Sequence, residues 1–280
     1  GSAYGALGSA VTVVEMTDGL LPGVDRDLVD ILERRLNDSL KAIHTGTRVA
    51  AVEDSDKGLS FTFSGAESGK KHYDRMLISV GRIPNTEDIG LEKTKVIGSD
   101  GGFIDHDDQQ RTDDPAIFVV GDVAGQPMLA HKASHEGRVA AEVAAGKRVA
   151  FEPQAIPAVV FTDPEIAWCG LTETEAQETG RDVEVARFPW GASGRAPTLG
   201  RSEGFTKLLI DRRSERVIGC GIVGPGAGEL IAEAVLAIEM GAVATDVRLT
   251  VHPHPTLSET MMEASEVMFG TATHIFRPNQ

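Results

Sequence analysis

Val11-Thr12-Val13-Val14-Glu15 is a β-branched run closed by an acid. Residues 3–8 in front of it read as the last turn of a helix that stops at Gly8. Helix, glycine, buried parallel strand, acid is the order of the second half of a first βαβ unit in a dinucleotide-binding sheet. There the terminal carboxylate accepts from ribose hydroxyls. Glu15 is thus the first candidate ligand residue. An ordinary α/β domain can also end a strand in an acid, and both readings stay open at this point. The sequence holds no glycine-rich phosphate loop ahead of that helix, so a truncated dinucleotide unit is expected.

Further along, Asp25 can cap a helix with Leu28, Val29, Leu32 and Leu36 on one face. Residues 48–52 and 59–63 read as paired strands, with a looser partner through His72 and Tyr73. Met76-Leu77-Ile78-Ser79-Val80 is an apolar run suited to a strand buried on both faces. It ends at Gly81, which lets backbone approach a flat ligand closely. Residues 84–100 read as loop. Ile117-Phe118-Val119-Val120-Gly121-Asp122 is a second apolar strand running into a glycine and an acid. Asp122 would sit at the edge where parallel sheets bind polyol ligands. A helix is expected over 131–145, stopped by Gly146. His131 and His135 are four apart within it, but no further ligand lies near, so capping or solvated imidazoles are the expectation rather than a metal pair.

From about residue 151 the pattern becomes α+β. Strands are expected at 158–161, 165–169, 183–188, 205–211 and 216–223, pairing as an antiparallel sheet. Thr172-Glu173-Thr174-Glu175 is a capping box for a short helix. A longer helix over 229–240 turns Leu230, Ile231, Val235 and Ile238 inward.

Composition narrows the function. The 280 residues carry a net charge of −15, which disfavours nucleic acid and anionic membranes as partners. No apolar run is long enough to span a bilayer. Cys169 and Cys220 are the only cysteines and fit neither a metal nor a CxxC pattern. Buried thiols in a reducing cytoplasm are expected.

The most distinctive chemistry lies in His252-Pro253-His254-Pro255-Thr256-Leu257-Ser258-Glu259. Proline stiffens this segment and delays any helix until Thr256 or Ser258, so the helix should run over 259–269. The turn can bring Glu259 back to His254. A carboxylate beside an imidazole selects its tautomer and raises its basicity, as a general base near neutral pH requires.

Taken together, these segments and Gly125-Gln126-Pro127-Met128-Leu129-Ala130-His131 resemble the dihydrolipoamide dehydrogenase family of flavin-dependent disulfide reductases. The resemblance runs over essentially the whole chain. It implies that Glu15, Val49 and Gly81 contact NAD, that Asp122 binds the FAD ribitol, and that Met128, Leu129, Ala130 and His131 run along the flavin. It implies that His254 is the base for the dihydrolipoamide thiol, oriented by Glu259, with His252 near the flavin. It further implies a cytoplasmic homodimer through the C-terminal domain, each histidine entering the other subunit's site, and lipoyl domains of 2-oxoacid dehydrogenase complexes as partners. No metal is expected.

In that family an FAD domain with a CxxxxC redox pair comes first, and Cys169 and Cys220 do not match that pair. The expectation is a C-terminal part: a truncated Rossmann-like NAD domain over 1–81, a central segment over 82–151 and an antiparallel-sheet dimerisation domain over 152–280. Such a piece is expected to be inactive and to bind FAD weakly or not at all. Two other readings are weighed: another NAD(P)H-dependent flavin disulfide reductase, or a catalytically silent dimerisation module.

Overall fold

The computed structural model describes residues 1–56, 58–99 and 101–275. It divides into two compact units, one of residues 1–76 with 157–280 and one of residues 77–156. The first unit opens with α1 (Ser2–Ala6) and β1 (Thr12–Val14). Next come α2 (Arg26–Ser39) and β2 (Ala42–His44), a strand the sequence reading missed. β2 runs parallel to β1, with Thr12 opposite Ala42. β3 (Thr47–Ser55), β4 (Gly58–Gly65) and β5 (Gly69–Tyr73) form an antiparallel meander. Its inner face carries Phe61, Phe63 and Tyr73. The Phe61 and Tyr73 rings meet edge to face at 5.2 Å.

In the second unit, α3 (Ala130–Ala144) is the principal element. Its Lys132 and Glu136 form a buried ion pair at 2.6 Å. The other Glu136 oxygen accepts the Gly121 N–H at 2.7 Å. Residues 84–99 form loop, as read, except for a 3-10 turn at Leu91–Lys93 and an isolated bridge from Gly98 to Ile104; residue 100 lies outside the described residues. Two strand expectations fail. Residues 76–80 form no strand, and Leu77, Ile78 and Val80 are 72, 66 and 93% exposed. Residues 117–122 make an isolated bridge, Arg111 to Phe118, before a 3-10 turn at Gly121–Ala124. Both runs have the composition of buried strands. A strand exists only through pairing, however, and no described strand pairs with either run.

Residues 157–280 supply the larger sheet. β6 (Ala158–Val160), β7 (Glu165–Gly170), β8 (Val183–Pro189), β9 (Phe205–Asp211) and β10 (Val217–Gly224) lie in the order β6-β7-β10-β9-β8, antiparallel throughout. The helices are α4 (Glu173–Thr179), α5 (Ala227–Glu239), α6 (Ala244–Leu249), missed from the sequence, and α7 (Glu259–Phe269). Thr172 and Glu175 form the expected capping box on α4. α7 lies on β8 and β9. A buried polar chain pins it there: Trp190 Nε1 donates to Thr206 Oγ1 at 3.0 Å, and Thr206 Oγ1 lies 2.8 Å from Thr260 Oγ1.

α2 packs against this sheet. Leu28, Val29, Leu32 and Leu36 are buried as the periodicity predicts and cluster with Ile166 of β7 and Val223 of β10. Each such side chain stabilises by about 1.5–3 kcal/mol. Gly221 permits the approach, since a Cβ there would lie 2.9 Å from Leu28 Cδ1. Asp25 corrects another expectation. It occupies the N-cap position of α2 but does not cap it with its side chain. Its carboxylate accepts from Glu173 N–H at 2.9 Å, Thr174 N–H at 3.0 Å and Thr174 Oγ1 at 2.8 Å, and so caps α4 instead. No helix among the described residues is long and apolar enough to cross a membrane.

Candidate functional site

The loop between α6 and α7 carries both imidazoles. His254 Nδ1 lies 2.9 Å from Glu259 Oε1. Glu259 Oε2 accepts the Thr256 N–H at 2.7 Å, so one carboxylate both closes the turn and fixes the ring. Thr256 Oγ1 donates to the Pro253 carbonyl at 2.7 Å, which tightens the loop between the two residues. Burial pushes the Glu259 carboxyl up, but the Thr256 N–H and then the His254 ring outweigh it and hold it below the usual carboxylate range. An ionised Glu259 places the ring proton on Nδ1 and leaves the Nε2 lone pair to accept one. The His254 side chain is 63% exposed, while Glu259 is only 15% exposed. Gly194 lies against the ring: a Cβ there would come within 3.2 Å of His254 Cε1.

His252 is arranged differently. Its side chain is only 5% exposed. Nδ1 lies 2.9 Å from the Thr250 carbonyl and Nε2 lies 2.6 Å from Glu233 Oε1 of α5. Both ring nitrogens thereby anchor the loop. Glu233 was not singled out from the sequence, because nothing local links positions 19 apart.

The remaining sequence candidates are placed as follows. Glu15 ends the β1–β2 edge, and its Oε1 accepts from Thr17 N–H at 2.8 Å and Thr17 Oγ1 at 2.9 Å. The Thr17 N–H lowers the Glu15 carboxyl against the opposing effect of burial, so Glu15 is a ready acceptor for hydroxyl donors. Val49 is exposed on β3. In the second unit Gly81 has φ +130°, with open space where a side chain would stand. Asp122 lies 3.5 Å from Arg82, which also donates to the Met128 carbonyl at 3.1 Å. Met128 is buried and Leu129 half-buried, while Ala130 and His131 are exposed at the start of α3, as is His135 one turn on.

Asp25, Asp27 and Glu173 converge closely enough to suggest a cation site. The cation is already supplied by the chain. Lys207 Nζ is fully buried and lies 2.8, 2.7 and 3.2 Å from the three carboxylates. Arg187 adds hydrogen bonds to Asp27 and Glu173. Cys169 and Cys220 face each other across β7 and β10, both free and buried. Burial pushes the Cys169 thiol up to about 12 and raises Cys220 well above its usual value.

Comparison with known proteins matches residues 1–137 to the family described as pyridine nucleotide-disulphide oxidoreductase. Residues 156–265 match that family's dimerisation domain. The dihydrolipoyl dehydrogenase of Vibrio parahaemolyticus is 47% identical, over 100% of this chain and 59% of its own length. That of Haemophilus influenzae is 48% identical, over 98% of this chain and 58% of its own length. The crystal structure of LpdA from Mycobacterium tuberculosis superposes with a TM-score of 0.88 at 29% identity, covering 95% of this chain and 58% of that one. The chain therefore spans about three-fifths of the length of the relatives it matches. Both matched regions carry one family description and the fold agrees over nearly the whole length; this chain belongs to the pyridine nucleotide-disulphide oxidoreductases.

Proposed function

We propose that this chain supplies the proton-transfer side of a dihydrolipoyl dehydrogenase, and the His254–Glu259 pair carries that reading. His254 Nε2 takes the thiol proton of dihydrolipoamide. Glu259 holds Nδ1–H in place and stabilises the imidazolium that results. The exposure of His254 beside a largely covered carboxylate suits a base that must reach a substrate presented from outside its own subunit.

Bound FAD would supply the electron acceptor and NAD the terminal carrier. Glu15 offers its carboxylate to the adenosine ribose, while Val49 and Gly81 offer backbone to NAD. Asp122 would accept from the ribitol, and Met128, Leu129, Ala130 and His131 would line the flavin, with His252 contributing from its own segment. The open space at Gly81 and the ionised Glu15 support this fit. Proposed partners are a second copy of the chain and lipoyl domains of 2-oxoacid dehydrogenase complexes. The dimerisation-domain match supports the former, as do the exposed apolar residues Leu236, Met240, Leu249 and Val251. The dehydrogenases named above support the latter.

The two cysteines are inert by burial, so the electron-accepting disulfide is not assigned to them. The 280-residue chain alone is expected not to turn over lipoamide, and turnover by the purified chain would refute this. In a full-length enzyme carrying this sequence, His254→Gln should reduce turnover by roughly 10²–10⁴-fold with flavin retained. Undiminished turnover would remove His254 from the mechanism.

A further inference from the structure

A second histidine–carboxylate pair lies beside the first. His274 Nδ1 is 2.5 Å from Glu263 Oε1. Glu263 stands one helical turn beyond Glu259 on α7, and residues at that spacing share a face. Glu259, Glu263 and His274 line one small cleft with Phe188, Ser193, Gly194 and Thr260. The Glu263 side chain is 3% exposed, and its Oε2 has no hydrogen-bond partner among the described residues. A buried carboxylate with one oxygen unsatisfied is costly. Here it stands in the same cleft as the carboxylate that orients His254.

We propose that His274 is a positioning residue for the His254–Glu259 pair, acting through Glu263. α7 stacks Glu259, Glu263 and Glu266 along its length. A bare Glu263 anion would disfavour the Glu259 carboxylate and strengthen the hold of His254 on a proton. The His274 imidazole, held against Glu263 Oε1, offsets that charge. The titratable groups around the Glu263–His274 pair are Glu259 and Glu266 on α7 and His254 on the preceding loop, with Arg248 of α6 acting on Glu266. From β8 and the residues after it come Phe188, Ser193 and Gly194, none of which titrates. The electrostatics agree in direction. After burial, the Thr256 N–H and His254, the charge of His274 helps hold Glu259 down. Burial and then Glu263 push the Glu266 carboxyl up, opposed by the Thr273 N–H, Arg248 and His274.

The inference rests on reading His254 as the base, but its test does not need catalysis. The His254 ring is titrated by NMR in the 280-residue chain, its signal assigned with His254→Gln. His274→Gln leaves Glu263 uncompensated and should raise the His254 midpoint by roughly half a pH unit. Glu263→Gln leaves the His274 charge uncompensated and should lower it by a similar amount. The double variant should return it close to that of the parent chain. If His274→Gln does not fold, Glu263→Gln decides alone: a downward shift supports the coupling and an unmoved curve overturns it. Superimposable His254 curves in all folded variants also overturn it. Loss of the base role, seen as full turnover by His254→Gln in a full-length enzyme, would leave these curves readable.

Discussion

Lys207 Nζ lies 2.8 Å from Asp25 Oδ2, a contact that joins the start of α2 to the middle of β9 across most of the sequence. Neither residue is exposed enough for water to replace the other. Asp27 and Glu173 complete the set around the ammonium, so the buried cation is matched rather than stranded. Removing one partner of such a group leaves uncompensated buried charge. Lys207→Met should destabilise the chain by about 3–5 kcal/mol. Urea unfolding would measure this, and a loss below about 1 kcal/mol would mean that the cluster is structurally idle.

The same contact sets an acid limit. Burial pushes the Asp25 carboxyl up, but Lys207 and the N–H groups of Glu173 and Thr174 overcome this and lower it from 3.8 to about 2. A carboxyl held down in the folded state contributes stability above its unfolded value and loses it as pH falls through the folded one. The contribution should be complete above about pH 5 and fall by roughly 2 kcal/mol as pH approaches 2. Asp25→Asn should be less stable at neutral pH and show a shallower acid slope. Equal slopes for the two proteins would assign the acid sensitivity elsewhere.

Cys169 and Cys220 should be silent toward thiol reagents in the native chain. Burial keeps both protonated, and only thiolates react at useful rates. An aromatic disulfide reagent should find no accessible thiol at pH 8 over minutes, and two after guanidine is added. Rapid labelling of either residue without denaturant would contradict the burial described for β7 and β10.

Glu259→Gln isolates the charge of the orienting side chain. The amide can still accept the Thr256 N–H, so the turn should close as before. It no longer stabilises an imidazolium at 254. Turnover by a full-length enzyme should fall roughly ten- to a hundredfold with little change in KM. A rise in KM alone would mean that Glu259 serves substrate binding instead.

The sequence disclosed what depends on near neighbours. His254 and Glu259 are five apart with one proline between them, so their meeting could be argued before any coordinates. The α2 face and the Thr172–Glu175 box follow from helical spacing for the same reason. Asp25 shows where that reasoning stops. Its identity announced a helix cap, and local chemistry named α2, but the N–H groups it satisfies belong to α4. Glu233 escaped notice likewise, since its partner His252 lies on a different element. Residues 76–80 and 117–122 fail for another cause. Apolar composition encodes a preference for burial, whereas a strand needs a neighbour, and the run itself does not reveal one. The Glu259–Glu263–Glu266 spacing was visible throughout, but its meaning required knowing that His274 returns to the same helix.

The cap that Asp25 provides to α4 has a consequence for protein engineering. Expression of 157–280 alone is the obvious way to obtain the portion that matches the dimerisation domain. That product would strip Ile166 and Val223 of the leucines that cover them, leave an ammonium among too few counter-charges and release two helix-end amides. A soluble truncation would retain α2, or replace its leucine face and Asp25 with groups that do the same work.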